Sequence, residues 1–150
     1  MLCSSGNEMG RAMGNEIKNV EILKPIYSRW SKTKGTSVDD WLNVFADDLK
    51  LGSLAAGAPH VAFTKDYDRR DALREYFSGL SKDWEMLEFK MNEFVAQGDL
   101  VFVRGMMEWR NRRTGKSFES PKVDYWRFKN GKAVEFYEYY DTAGVHAAAS

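Results

Sequence analysis

The chain has 150 residues, which is enough for a single domain that buries roughly two-thirds of the surface of its unfolded form. Its 22 basic and 22 acidic residues cancel, so no global field favours nucleic acid or an anionic membrane, and neither is expected as a partner. A single cysteine, together with the lack of a signal-peptide core or a membrane-spanning apolar stretch, predicts a cytoplasmic protein.

The N-terminal half predicts three helices after a disordered leader. Residues 1–15 are rich in Gly, Ser and Asn, a composition typical of disorder. Apolar residues then recur at helical spacing over 20–30, where Pro25 marks either the start of the helix or a kink. A capping pattern opens a short second helix over 37–45. The third helix follows over 68–80, with Asp68 as its N-cap.

The C-terminal half is typical of β-strands. Alternating apolar and polar residues predict a short strand at 49–53 and longer strands at 88–96, 101–109, 118–128 and 133–141. Asn130-Gly131 is a strong signal for a two-residue hairpin. Helices first and antiparallel strands last predict an α+β domain, with the helices packed on one face of a sheet. We expect this domain to span residues 16–144, followed by a flexible tail at 145–150.

One carboxylate lies among aromatic residues of a predicted strand. Asp124, Trp126 and Phe128 share a strand face, and the two aromatic rings indicate that this face is buried. A buried carboxylate must find a partner or take up a proton. Asp124 is therefore either a structural group, paired with an arginine or with Tyr27, or a catalytic acid. The two histidines, His60 and His146, are far apart in the sequence, so no metal site is expected.

Four sequence motifs together resemble a known superfamily. They are Phe45-Ala-Asp-Asp48, Trp109-Arg-Asn-Arg-Arg-Thr-Gly-Lys116, Asp124-Tyr-Trp-Arg-Phe128 and Asn130-Gly-Lys-Ala-Val-Glu-Phe-Tyr-Glu-Tyr-Tyr-Asp141. In this order and spacing the chain resembles the nuclear transport factor 2-like superfamily, on the branch of the ketosteroid isomerase-like and SnoaL-like polyketide cyclase proteins. The resemblance implies a cone-shaped, curved antiparallel sheet wrapped around three N-terminal helices. It also implies an apolar pocket inside the cone and a homodimer formed through the outer face of the sheet.

The same resemblance assigns roles to individual residues. Asp124 matches the oxyanion-hole acid of the ketosteroid isomerases, and Tyr27 lies near the position of their oxyanion tyrosine. Ser53 falls where those enzymes have a proton-shuttling aspartate, and serine has no basicity at neutral pH. Glu138 matches the third acid of limonene epoxide hydrolase. The catalytic Arg and Asp of that hydrolase are absent here, which argues against epoxide hydrolysis.

The apolar faces of the predicted elements indicate one aromatic-lined pocket. If these faces point inward, the residues that converge on the pocket are Tyr27, Trp30, Ser53, Met107, Trp109, Asp124, Trp126, Glu138 and Tyr140. The orientation of the last strand stays open, because a one-residue change of register would bury Tyr137 and Tyr139 and expose Glu138. The tryptophans and Tyr27 are equally consistent with core packing.

The leading functional hypothesis is an isomerase, cyclase or lyase that acts on a small hydrophobic carbonyl compound. Asp124 would serve as acid, Tyr27 would support it, and Glu138 would be the base. Enolate chemistry needs only a base and preorganised donors, so neither a cofactor nor a metal is expected. Two alternatives share the fold: a non-catalytic protein that binds a small hydrophobic molecule, and a protein-interaction module that uses the outer face of the sheet.

Overall fold

The computed structural model describes residues 4–150, with side chains from residue 8 onward except at residue 12. The helices are α1 (Ser4–Lys32), α2 (Val38–Val44), α3 (Leu73–Asp83) and α4 (Thr142–Ala149). The strands are β1 (Phe45–Ser53), β2 (Tyr67–Arg69), β3 (Trp84–Gln97), β4 (Leu100–Asn111), β5 (Ser117–Lys129) and β6 (Lys132–Tyr140). None of the helices in the described part of the chain combines the length and the apolar character needed to cross a membrane.

The six strands form one curved sheet in the order β2-β1-β6-β5-β4-β3. Strands β3 to β6 form an antiparallel meander, as the turn signals predict, and the β5–β6 hairpin turns at Asn130 and Gly131, which both have positive φ. Strand β1 pairs with β6 in parallel, a contact between distant segments that local patterns do not predict. The predicted α+β class and the sheet wrapped around N-terminal helices are confirmed.

Aromatic side chains on the inner face of the sheet build the core against the helices. Trp126 on β5 is completely buried, stacked on Phe45 at 5.4 Å and on Trp41 at 5.7 Å between ring centroids. Phe136 on β6 meets Trp126 edge-on at 4.7 Å. Such stacked and edge-to-face contacts add to the free energy gained by burying the rings.

The N-terminal region differs from its prediction in two respects. Helix α1 begins at Ser4, inside the segment predicted to be a disordered leader, and residues 1–3 lie outside the described residues. Its apolar residues Met9, Met13 and Ile17 continue the helical spacing but remain 66%, 56% and 58% exposed. The spacing of these residues, and not the Gly, Ser and Asn content, is the signal for this part of the helix. Pro25 lies within this helix and does not start it.

Two short segments differ from their predicted elements. The second helix ends at Val44, and the following residues 45–48 belong to strand β1, where Phe45 pairs with Ala133 of β6. Asp68 lies in strand β2 and does not cap α3, which is preceded by a single 3₁₀ turn at Arg70–Ala72. Both differences come from pairing with distant strands, which overrides local helix signals.

The predicted flexible tail is a short packed helix. Asp141 caps the N-terminus of α4 by accepting a hydrogen bond from the Gly144 amide at 3.1 Å. Val145, Ala148 and Ala149 are buried. The small apolar side chains of this segment allow close packing against β4 and β5, so the domain extends beyond its predicted end at residue 144.

A glycine in β4 permits close contact between two strands. An added Cβ at Gly105 would lie 1.8 Å from the carbonyl oxygen of Lys90 and 2.6 Å from the Cα of Met91. Both are backbone atoms, so strand β3 itself would have to move. We expect Gly105→Ala to lower the free energy of unfolding by at least about 2 kcal/mol in urea denaturation. Gly14→Ala in α1 is the control, because a new Cβ there meets nothing within 4 Å beyond its own stretch of helix. A similar small effect at both sites would contradict this account.

Candidate active site

The sheet and the helices form the walls of a cavity of about 70 Å³. Its walls are mostly aromatic: Trp30, Trp41, Phe45, Phe63, Phe77, Trp84, Phe89, Trp109, Phe118 and Phe136. Four polar side chains also reach it, namely Tyr76 from α3, Lys122 from β5, and Glu138 and Tyr140 from β6. Val145 of α4 contributes to the wall, so the unpredicted last helix forms part of the site. An apolar cavity with a few convergent polar groups is the usual form of a small-molecule site.

Lys122 forms the centre of the polar cluster. It lies two residues before Asp124 on β5, so both side chains share the inner face, and Asp124 pairs directly with Glu138 across β5 and β6. The Lys122 Nζ lies 3.1 Å from Asp124 Oδ1 and 3.2 Å from Glu138 Oε2. All three residues are at most 8% exposed. One buried ammonium group therefore bridges two buried carboxylates.

Two tyrosine hydroxyls complete the hydrogen bonds of these carboxylates. Tyr27 donates to Asp124 Oδ2 at 2.5 Å, and its oxygen accepts from Trp126 Nε1 at 2.9 Å. Tyr76 donates to Glu138 Oε1 at 2.8 Å. Each carboxylate thus has its own hydroxyl donor and shares the ammonium group with the other, which fixes the positions of all three charged groups.

Burial and charge set the protonation of the cluster. Burial raises the pKa of Asp124 above its ordinary value, although the Lys122 ammonium acts in the opposite direction. For Lys122, burial lowers the pKa, but the two neighbouring carboxyl groups outweigh it, and the net pKa is raised. Lys122 is therefore positively charged at neutral pH. Burial and the nearby carboxylates also raise the pKa of Tyr27 and Tyr76, which remain neutral donors.

The predicted site residues fall into two groups. Trp30, Met107, Trp109, Glu138 and Tyr140 line the cavity. Asp124, Tyr27 and Trp126 are buried behind its wall and connect to it through Lys122. Ser53 is also buried behind the wall, where its hydroxyl donates to Tyr140 at 3.2 Å. Asp124 therefore lies one contact away from the cavity, not in it.

The orientation of the last strand is the one that places Glu138 inside. Phe136 and Glu138 are 6% and 2% exposed, whereas Tyr139 on the opposite face is 45% exposed. The alternative register, with Tyr137 and Tyr139 buried, does not occur. A buried face that includes a carboxylate is accommodated because Lys122 and Tyr76 supply charge and hydrogen bonds.

Sequence reasoning missed Lys122 and Tyr76. The signal for Lys122 was available, since it has the same strand parity as Asp124, but a lysine is usually exposed. Tyr76 has the spacing of an ordinary core residue on α3. The histidines also differ from expectation: the rings of His60 and His146 are 6.0 Å apart between centroids. Within residues 4–150, however, no group of three or more potential metal ligands is present.

The hydroxyl of Tyr27 bridges two buried polar groups, so its removal has a measurable effect. In Tyr27→Phe, Asp124 loses a donor and the Trp126 indole loses its acceptor. We expect the free energy of unfolding to fall by about 1–3 kcal/mol in chemical denaturation. Tyr139→Phe, on the exposed face of β6, is the matched control and should change stability little. Equal stability of the two variants would show that the Tyr27 hydroxyl is not coupled to the cluster.

Comparison with known proteins assigns the chain to a family. The family model described as a SnoaL-like domain matches residues 29–136, which is more than half of the chain. The chain belongs to the SnoaL-like domain family. Comparison of this SnoaL-like protein with curated proteins found no match.

Solved structures share the fold of this SnoaL-like protein over most of its length. A nuclear transport factor 2-like protein from Burkholderia thailandensis E264 is 25% identical with a TM-score of 0.74, covering 88% of this chain and 97% of that chain. One from Burkholderia xenovorans LB400 is 24% identical with a TM-score of 0.74, covering 90% and 98%. A Catenulispora acidiphila DSM 44928 protein with a ketosteroid isomerase-like fold, solved in complex with trimethylamine, is 16% identical with a TM-score of 0.69, covering 85% and 91%. The predicted superfamily is confirmed.

Proposed function

We propose that this SnoaL-like protein is an acid/base enzyme that enolises a small hydrophobic carbonyl compound, as an isomerase or cyclase does. The observation that carries the proposal is the pair formed by Glu138 and Lys122 in the wall of an aromatic cavity, 3.2 Å apart. A carboxylate beside a fixed positive charge provides the two elements of enolisation, a base and a partner for the developing oxyanion.

Each residue of the cluster has a distinct part in the proposed reaction. Glu138 takes a proton from the carbon next to the carbonyl group. The electron pair of that C–H bond forms the C=C bond of the enolate, and the π pair of the C=O bond moves onto the carbonyl oxygen. Lys122 stabilises the resulting oxyanion, a role that the resemblance to ketosteroid isomerases gives to Asp124. Asp124 and Tyr27 act as positioning residues, since Asp124 pairs with the ammonium group on the side away from the cavity and Tyr27 donates a hydrogen bond to Asp124. The proton then returns from Glu138 to the same or another carbon, or the enolate carbon attacks a second carbonyl group, whose oxygen takes the proton from Glu138.

Exchange of the ketone's protons next to the carbonyl group with deuterated water tests this proposal without knowledge of the natural substrate. Ketones of graded size are incubated with the protein, and loss of the proton signal next to the carbonyl group is followed by NMR. The proposal predicts exchange faster than in buffer for ketones that fit the cavity. Ketones that bind without faster exchange would rule out the enzyme and support the second candidate.

That second candidate is a non-catalytic binding protein. One observation favours it: Glu138 Oε1 accepts from Tyr76 and Oε2 contacts Lys122, so both oxygens of the candidate base already have partners. A structural ion pair would have the same contacts. The exchange assay separates the two candidates, because binding alone does not labilise a C–H bond.

We also propose a homodimer through the outer face of the sheet. Val95, Phe102, Tyr125 and Tyr137 form one row across β3 to β6, with Val95 67% and Phe102 41% exposed. An ion pair of Arg104 with Glu93 borders this row. Because a two-fold axis brings each patch onto its own copy, adjacent charges of opposite sign can pair across such an interface.

The dimer proposal makes a prediction about molecular mass in solution. Phe102→Glu places a charge at the centre of the row, and we expect it to convert a dimer into a monomer in light scattering after size-exclusion chromatography. Glu21→Gln, at an exposed position of α1 and not on the sheet, should leave the dimer intact. A wild-type protein that is monomeric at micromolar concentration would refute the proposal.

A further inference from the structure

The size of the cavity limits the ligand. Its volume of about 70 Å³ is well below the roughly 300 Å³ at which pockets for drug-sized molecules begin. It is nearer to the roughly 150 Å³ of an apolar protein cavity that takes benzene. A single ring would therefore need movement of flexible wall residues such as Met107, and a fused polycyclic skeleton is not expected to fit inside the cavity.

The walls favour a flat ligand. Trp30, Trp41 and Phe77 contact one another on the helical side, with centroid distances of 5.5 to 6.4 Å. Phe89 and Trp109 contribute from the strands on the other side. Aromatic rings on both sides of a small cavity match a planar ring, which can stack or meet them edge-on.

One tryptophan in the wall has an unused hydrogen-bond donor. Trp41 is 6% exposed, and its Nε1 has no acceptor in the described part of the chain. Two other buried indoles differ, because Trp126 donates to the Tyr27 hydroxyl at 2.9 Å and Trp84 donates to the His60 carbonyl at 3.4 Å. A buried donor without an acceptor is costly, so a ligand oxygen at this position would gain a hydrogen bond that the protein alone does not make.

We propose that the substrate is a single-ring aromatic ketone or a close relative, and that Trp41 Nε1 donates to its oxygen together with Lys122. This inference rests on the proposed function for the identity of the reacting group. It goes further in naming the size class and the residue that selects for a carbonyl oxygen. Trp41 is thereby a specificity-determining residue, since a site built to hydrogen-bond an oxygen discriminates against analogues that lack it.

Two ligands of nearly equal shape test the role of Trp41. In α-methylstyrene a CH₂ group replaces the carbonyl oxygen of acetophenone, and dissociation constants for both are measured by calorimetry. We expect wild type to prefer acetophenone, and Trp41→Phe to reduce that preference about fivefold by weakening acetophenone binding alone. Trp84→Phe is the matched control, because Trp84 also lines the cavity but its N–H is already bonded within the protein. The preference should survive this change.

Three results would overturn the proposal. They are no binding of acetophenone, an unchanged preference in Trp41→Phe, and equal or tighter binding of a four-ring steroid ketone. Failure of the proposed function would look different. Acetophenone would then bind with the Trp41-dependent preference, yet its methyl protons would not exchange with deuterated water any faster than in buffer.

Discussion

Replacement of Lys122 by methionine is expected to lower the free energy of unfolding by about 3–5 kcal/mol at neutral pH. Methionine preserves much of the volume and apolar contact of the lysine chain but removes its charge. Asp124 and Glu138 would remain buried beside each other without the ammonium group that lies 3.1 and 3.2 Å from them. Urea denaturation with a single-transition analysis measures the loss.

A second variant and a pH series separate this cause from a packing defect. Lys122→Met combined with Asp124→Asn removes one of the two unpaired charges and should recover part of the lost stability. Burial already raises the pKa of Asp124, so the deficit of Lys122→Met should also shrink as the pH falls and this carboxyl takes up a proton. Lys129→Met, at an exposed position of the same strand, should change stability little. A deficit independent of pH and of the second substitution would indicate packing alone.

Replacement of Glu138 by glutamine is expected to lower the rate of ketone proton exchange by about 10²–10⁴. Glutamine has nearly the same shape and retains an acceptor for Tyr76, but it cannot take a proton at neutral pH. Binding of the ketone should change much less than exchange, since the aromatic walls are intact. NMR for exchange and calorimetry for binding give the two values on the same sample.

The control for this substitution lies on the same strand. Glu135→Gln changes the outer face of β6, where Glu135 accepts hydrogen bonds from Tyr125 and Arg127. It should leave the exchange rate unchanged. If Glu138→Gln retained more than half of the wild-type rate, Glu138 would not be the base, and its contacts with Lys122 and Tyr76 would be structural.

Local patterns in the sequence predict much of this fold. The long strands alternate with period two over most of their length, and the Asn130-Gly131 turn joins β5 to β6 as predicted. A one-residue register shift between Phe128 and Arg127 then brings Asp124 opposite Glu138, which the turn alone does not predict. The aromatic neighbours of Asp124 correctly indicate its burial, and Tyr27 is one of the partners considered for it. These features depend on residues close in sequence, or on the alternation of apolar and polar residues along a single strand.

The rest depends on contacts between distant segments. The strand parity of Lys122 indicates its face, but its burial depends on β6, which brings Glu138 next to it, and on α3, which brings Tyr76 to Glu138. Strand β1 forms beyond Val44 because it pairs with β6 in parallel. The cavity volume and the unpaired Trp41 donor depend on how completely the side chains pack, which the order of the residues does not reveal.

A crystal structure of the protein with acetophenone bound tests the central claim most directly. The account predicts the ring inside the aromatic cavity, its oxygen within hydrogen-bond distance of Lys122 Nζ, and its methyl carbon facing the carboxylate of Glu138. A ring bound outside the cavity, or an oxygen that points away from Lys122, would contradict the assignment of these two residues as oxyanion partner and base.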